Sequence, residues 1–318
     1  MKLHKDKDAF QALLTTLSEK TGIREDIIEK DYYLTLLLSE LARWQSELPA
    51  YFKGGTALYK AIGSLKRFSE DIDLTVEIQD CSKSQGKKRL ETAANGYVSL
   101  PRTSDKTREI NAKGSITSVY EYQPVTKIDA DDALQRFGYV KVEATSFTVS
   151  EPVESLMVSP LLYLEASSEQ QSILHDSYDV SPFEVMTIKM ERIFADKILA
   201  AEFYYQRKTL FDVAKHLYDL TLLMNTKRIA ALITQRDELL KMIEYKRHEE
   251  KNRIGSELAQ KPFADFLLFK ALETDAKLQE TFAEMQRIYV FNDADIIPFS
   301  KVIKQMSQLY EVLQDLDR

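Results

Sequence analysis

A single cysteine, Cys81, stands in a chain of 318 residues. One thiol cannot close an internal disulfide, and a reducing cytoplasm fits. Histidine is as sparse: the four present are widely spaced and make no zinc-ligand pattern. With only nine glycines and eight prolines, the chain reads neither as disordered nor as an all-β fold built on many tight turns. No apolar run approaches the roughly 20 residues that span a bilayer. The opening segment MKLHKDKDAF also lacks the apolar core of a secretory leader. A cytoplasmic protein with no membrane partner is therefore expected. Positive charge is in deficit too, with 43 Lys and Arg against 50 Asp and Glu, a net of −7. That balance excludes a broadly basic nucleic-acid binder and favours a small substrate or a protein partner. An RNA partner would have to be held by locally clustered basic residues.

What is present patterns as an α+β protein. Apolar residues recur at helical spacing over 8–19 (Phe10, Leu13, Leu14, Leu17) and over 24–44 (Ile27, Ile28, Tyr32, Leu36, Leu37). A short strand from Ala50 to Phe52 leads into Gly54-Gly55-Thr56 and the helical ALYKAI. A polar loop over 63–70 follows, then DIDLTVEI, which alternates as a half-buried strand does. Ile72, Leu74, Val76 and Ile78 lie on one face, and Asp71, Asp73, Thr75 and Glu77 on the other. Residues 82–114, rich in Ser, Lys and Arg, read as helix or loop. SITSVYEY, YVKVEATSF and LLYLEA read as further strands, and from about Pro182 the pattern is helical to Arg318. The expected organisation is a mixed sheet with flanking helices over 1–181, followed by a helical domain over 182–318.

The chemistry concentrates at Asp71 and Asp73. Two residues apart on a strand, they project from one face and repel unless a cation neutralises them. Mg²⁺ (or Mn²⁺) takes carboxylate oxygens together with substrate phosphates. A bare D-x-D more often marks a solvated strand face; its context here is what raises it. Gly54 and Gly55 sit between a strand and a helix, where glycine lets backbone approach a phosphate and the helix end favours an anion. Thr56 there adds a hydroxyl donor or caps the helix. Glu143, on a polar strand face, either completes the metal set or faces solvent. Lys197 lies on the apolar stripe of Met190, Ile193, Phe194, Ala201 and Tyr204, so it meets an anion such as a triphosphate or closes a salt bridge. Asp212, Lys215, His216 and Asp219 share one helix side; Asp219 either accepts a proton or holds Lys197.

Taken together, FKGGTALYKAIGSLKRFSEDIDLTV resembles the signature of the AbiEii/AbiGii nucleotidyltransferase-like toxins. IIEKDYYL, ADKILAAEF, KHLYDL and TFAEMQRIYVF are similar to further segments of that family, so the resemblance covers most of the chain. It implies a polymerase-β-like nucleotidyltransferase core followed by a helical domain. By position it makes Asp71 and Asp73 metal ligands, Gly55 and Thr56 the nucleotide-binding turn, Lys197 the nucleotide-phosphate lysine and Asp219 the last catalytic acid. It also implies an NTP substrate, a role in toxin–antitoxin or abortive-infection phage defence, and a cognate antitoxin. Transfer of NMP to RNA, with the tRNA 3′ end foremost, is the expected activity. A small-molecule or protein acceptor, or a non-catalytic NTP-binding module, are the alternatives. Two positions depart from the family pattern: Lys215-His216 replaces the usual Arg-Asp, and Asp212 stands where some members carry a base. Basic groups for an RNA are Lys60, Lys66 and Arg67, then Lys83, Lys87, Lys88, Arg89, Arg102, Lys106 and Arg108, which otherwise read as solvated loop.

Overall fold

The structure is a computed structural model that describes residues 1–63, 66–112, 114–127, 137–147, 150–254, 258, 260–290 and 292–318. Residues 64–65 of the polar loop, residue 113 and Phe291 of the late helical segment lie outside the described residues. The chain divides into two compact units. The first comprises 1–61, 70–146 and 153–187, and the second 62–69, 147–152 and 188–318.

The first unit begins with two helices, α1 (Lys7–Thr21) and α2 (Glu25–Trp44). Asp6 caps α1 by accepting from the Ala9 N–H, and Gly22 ends it in the left-handed conformation that glycine adopts without strain. Among the described residues a seven-stranded sheet follows, built from β1 (Ala50–Lys53), β2 (Asp71–Val76), β3 (Ile110–Ala112), β4 (Ser115–Glu121), β5 (Tyr139–Thr145), β6 (Val153–Val158) and β7 (Phe183–Ile188). Their order is β3-β4-β5-β2-β1-β7-β6. The sheet is mixed: β2 runs antiparallel to β1 and parallel to β5, and β1 runs parallel to β7. Among the described residues four α-helices lie between strands in sequence: the four-residue α3 (Gly54–Ala57), which widens into a π turn over Leu58–Ile62; α4 (Lys83–Asn95); α5 (Leu161–Glu165); and α6 (Ser168–Tyr178).

Alternation decides how the central strands sit. Ile72, Leu74 and Val76 of β2, and Val140, Val142 and Ala144 of β5, are fully buried. Each large aliphatic side chain contributes about 1.5–3 kcal/mol by that burial. The same alternation fixes the register and leaves Asp71, Asp73, Tyr139, Lys141 and Glu143 half-buried on the opposite face.

The second unit is mainly helical: α7 (Met190–Gln206), α8 (Leu210–Leu223), α9 (Lys227–Thr234), α10 (Arg236–Ile254), α11 (Leu267–Ala271), α12 (Ala276–Tyr289) and α13 (Phe299–Leu316). Phe194, Leu217, Phe282, Met285 and Met306 form its core. No helix among the described residues is long and apolar enough to cross a membrane.

The class is α+β, as the sequence pattern indicates. Four segments differ from it: β3, within the 82–114 stretch read as helix or loop, and β6 are strands that the pattern does not show, and two further segments change type. LLYLEA is helical rather than extended: Pro160 opens α5, and Leu162 is buried while Leu164 is 60% exposed, so the leucines do not line one strand face. The segment after Pro182 is a strand before it is a helix. Val185 and Thr187 of β7 are both buried, with Thr187 level with Phe52 of β1. A polar residue facing a core hides the period-two signal.

Candidate active site

In the first unit the sheet places Asp71 and Asp73 between two partner strands. Lys53 of β1 stands level with Asp73, while Lys141 and Glu143 of β5 stand level with Asp71 and Asp73. Gly54 follows β1 directly with φ +79, and a Cβ added there would collide with the Asp73 carboxylate. Only glycine lets the chain turn into α3 this close to the acid. Gly55 occupies the first turn of α3. The Thr56 side chain is buried, and its hydroxyl donates to the Asp71 carbonyl at 2.5 Å. Thr56 therefore ties the turn to the acidic strand, and α3 carries no side-chain cap.

Behind this face lies a charged layer from α2. Lys30 is fully buried, 3.5 Å from Glu70. Burial pushes its ammonium pKa down, against the opposing pull of Glu70 and Asp71. Asp31 is also fully buried and fully engaged. It accepts from Lys60 at 2.7 and 2.9 Å, from the Tyr59 hydroxyl at 3.0 Å and from the Leu161 N–H at 2.6 Å.

Among the described residues, no group of three or more His, Cys, Asp or Glu is gathered so as to hold a metal ion. The donor chemistry nonetheless suits Mg²⁺, which is held by one or two carboxylates and completes its shell with substrate phosphate and water. Asp71 and Asp73 supply two such carboxylates on one strand face, and the missing Cβ of Gly54 is what leaves room for the Asp73 carboxylate.

The second unit holds the other predicted residues. Asp219 of α8 is fully buried. It accepts from Arg67 through both oxygens at 2.7 Å each, and from Lys197 of α7 at 2.5 Å. Burial alone would raise the Asp219 carboxyl pKa. Arg67 and Lys197 more than reverse that, and hold it down at about 2. Two buried cations thus meet on one anion. Arg67 is itself fixed by donating to the Phe68 carbonyl at 3.1 Å. His216 stacks on Tyr204 with centroids 5.4 Å apart, and its Nδ1 has no hydrogen-bond partner among the described residues. Burial, then Lys197, keep its pKa well below the usual imidazole range, so it is neutral at pH 7. Lys215 lies over the Tyr289 ring at 4.5 Å, and Asp212 is half-buried in the first turn of α8.

The family model for the nucleotidyl transferase AbiEii toxin, type IV TA system, matches residues 36–305. The chain belongs to this family. Among curated proteins there is no match. Among solved structures, this AbiEii-family chain is similar to MenT4, a nucleotidyltransferase toxin from Mycobacterium tuberculosis, at 14% identity and a TM-score of 0.45, over 94% of this chain and 98% of that one.

Within this AbiEii protein, Gly54, Gly55, Thr56, Asp71, Asp73 and Glu143 fall in the first unit, and Lys197 and Asp219 in the second. Two basic groups read as available to an RNA are not: Lys60 is buried against Asp31 and Arg67 against Asp219. Sequence reasoning also missed Lys30. A lysine at helical spacing from Leu34, Leu37 and Leu41 was the signal that could have found it.

Proposed function

We propose that this AbiEii-family nucleotidyltransferase toxin transfers NMP from an NTP to an RNA acceptor in an Mg²⁺- or Mn²⁺-dependent reaction, with the tRNA 3′ end as the preferred acceptor. The observation that carries the reading is the Gly54 turn packed against the Asp73 carboxylate. A phosphate-cradling backbone and a metal-binding acid then meet at one point. Asp71 and Asp73 would hold the metal, with substrate phosphate and water completing its shell; Glu143, level with Asp73 on β5, is not gathered with them as a third donor. Bound there, the metal would offset charge on the attacking and leaving oxygens. Gly54 and Gly55 offer backbone to the triphosphate, and Thr56 keeps the turn in register with Asp71. The acceptor hydroxyl gives its proton to water as its oxygen bonds to the α-phosphorus, the bond from that phosphorus to the oxygen bridging to the β-phosphate breaks, and pyrophosphate leaves. Lys197 binds nucleotide phosphate. Asp219 orients Lys197 and Arg67; a carboxylate held at about 2 is a weak proton acceptor at neutral pH. A cytoplasmic setting and a cognate antitoxin belong to the same proposal.

Incubating the protein with total RNA and each labelled NTP tests it. Label enters RNA with wild type and disappears with Asp71→Asn/Asp73→Asn or with chelator. Equal labelling by the double variant rules the mechanism out. The net charge of −7 favours a second reading in which the acceptor is a small molecule or a protein. Label found there, and not in RNA, would establish it. The neutral His216 in place of the family's usual acid motivates a third, a non-catalytic NTP-binding module. Any measured incorporation removes it.

A further inference from the structure

The acidic strand has two flanks, and the glycine turn occupies only one. On the other, β5 presents Tyr139, Lys141 and Glu143 on the face that carries Asp71 and Asp73, with Lys141 level with Asp71. The neighbouring β4 brings Glu121 level with Tyr139. Here the first unit has a cleft of about 630 Å³ lined by Arg108, Glu121, Tyr122, Phe137, Tyr139 and Lys141. Its volume lies within the range of small-molecule sites.

The half-exposed ring of Tyr139 is surrounded by cations: Arg108 at 4.1 Å, Lys30 at 4.7 Å and Lys141 at 5.7 Å from its centroid. Lys30 is buried and paired with Glu70, so it supports the ring from behind. Arg108 lies 3.4 Å from Glu121, which also accepts from the Thr103 hydroxyl at 2.6 Å. The Lys141 ammonium makes no ion pair among the described residues. An aromatic face flanked by Arg and Lys is the arrangement that binds single-stranded nucleic acid, the ring stacking on a base and the cations meeting phosphate. In a chain of net charge −7, such a local cluster is what RNA binding would require.

We propose that this cleft holds the 3′-terminal nucleotide of a single-stranded RNA acceptor, with its base stacked against the Tyr139 ring and the Arg108 guanidinium that lies over it, and its phosphate against Lys141. The assignment to the acceptor rests on the nucleotidyl-transfer reading, because the glycine turn on the β1 side is already given to the NTP. The two reactants would then approach Asp71 and Asp73 from opposite flanks of β2.

The test uses a short fluorescein-labelled single-stranded RNA with a free 3′-hydroxyl and no NTP. Tyr139→Ala should weaken its binding about tenfold or more, as loss of one stacked base does. Tyr139→Phe, which keeps the ring, should bind within about twofold of wild type. Lys141→Ala should reduce the slope of log affinity against log salt by about 0.7, the loss of one phosphate contact on a single strand. Binding of NTP with Mg²⁺, titrated separately, should be unchanged in all three variants. The proposal is overturned if wild type binds no such RNA, if Tyr139→Ala binds it normally, or if the loss falls on NTP instead, which would make the cleft part of the nucleotide site. RNA binding that depends on Tyr139 without any nucleotide incorporation would leave the cleft standing and defeat the transfer reading, so the two fail separately.

Discussion

At the scale of single residues, Asp219 and Gly54 each carry a measurable consequence. Asp219 accepts from both Arg67 and Lys197, each of them buried. Asp219→Asn leaves these buried guanidinium and ammonium groups without its charge, which should cost about 3–5 kcal/mol in urea unfolding. The pH dependence follows from the direction of the shift. The folded carboxyl is held at about 2, below its ordinary value of 3.8, so its contribution is present above the unfolded pKa and fades as pH falls from about 4 towards 2. Wild type should therefore lose on the order of 2 kcal/mol more than Asp219→Asn across that window. Identical acid profiles for the two proteins would show that the pair is not held as described. Gly54 and Gly22 share a positive φ, +79 and +73, but differ in surroundings: a Cβ at Gly22 meets nothing within 4 Å, and one at Gly54 meets the Asp73 carboxylate. Gly22→Ala should cost about 1 kcal/mol and keep nucleotide transfer. Gly54→Ala should abolish transfer, because Asp73 must move. Full activity in Gly54→Ala would separate the turn from the acid.

At the scale of elements, α2 shows what local spacing reveals and what it hides. Its apolar positions predict an amphipathic helix with one buried face, yet the structure buries every residue from Asp26 to Leu41. The reason lies in partners far along the chain. Glu29 accepts from the Val125 and Thr126 N–H groups, Asp31 from the Leu161 N–H, and Glu40 from the Val98 and Ser99 N–H groups at 2.8 and 3.0 Å. Each acid anchors a loop by satisfying buried backbone donors. Glu40→Ala orphans two of these and should cost about 2–4 kcal/mol, while Glu40→Gln, which keeps one acceptor oxygen, should cost less. Equal urea midpoints for the two variants would mean that the loop finds other partners. No period in the sequence encodes such pairings, just as none links Arg67 to Asp219 across 152 positions. The central strands were legible for the opposite reason. Ile72, Leu74 and Val76 alternate with Asp71, Asp73 and Thr75, and a half-buried strand imposes that pattern directly. The Gly54 turn was legible because its backbone needs one residue type. LLYLEA failed because a short leucine run fits a helix and a strand equally well until its flanking proline is weighed.

At the scale of the whole molecule, the chain passes between its units more than once. Residues 62–69 and 147–152 belong with 188–318, although both segments lie in sequence between parts of the first unit. The family match over 36–305 takes in both of these segments. A cut after Thr187 would give a fragment 188–318 without Arg67, and with it would go the bidentate pair to Asp219 and the Phe68 N–H bond to the Tyr289 carbonyl at 2.7 Å. Asp219 would then keep its bond from Lys197, and the Tyr289 carbonyl at the end of α12 would lose its bond from Phe68. Breaking a buried ion pair from one side costs about 3–5 kcal/mol, a large part of the 5–15 kcal/mol that holds a typical domain. The fragment is therefore expected to unfold at a lower urea concentration and with a shallower transition than the same residues in the full chain, followed by the quenching of Tyr and Phe packing in near-ultraviolet circular dichroism. A fragment as stable and cooperative as the intact protein would mean that the two returning segments contribute nothing to the helical unit, and that the contacts of Arg67 are incidental to its fold.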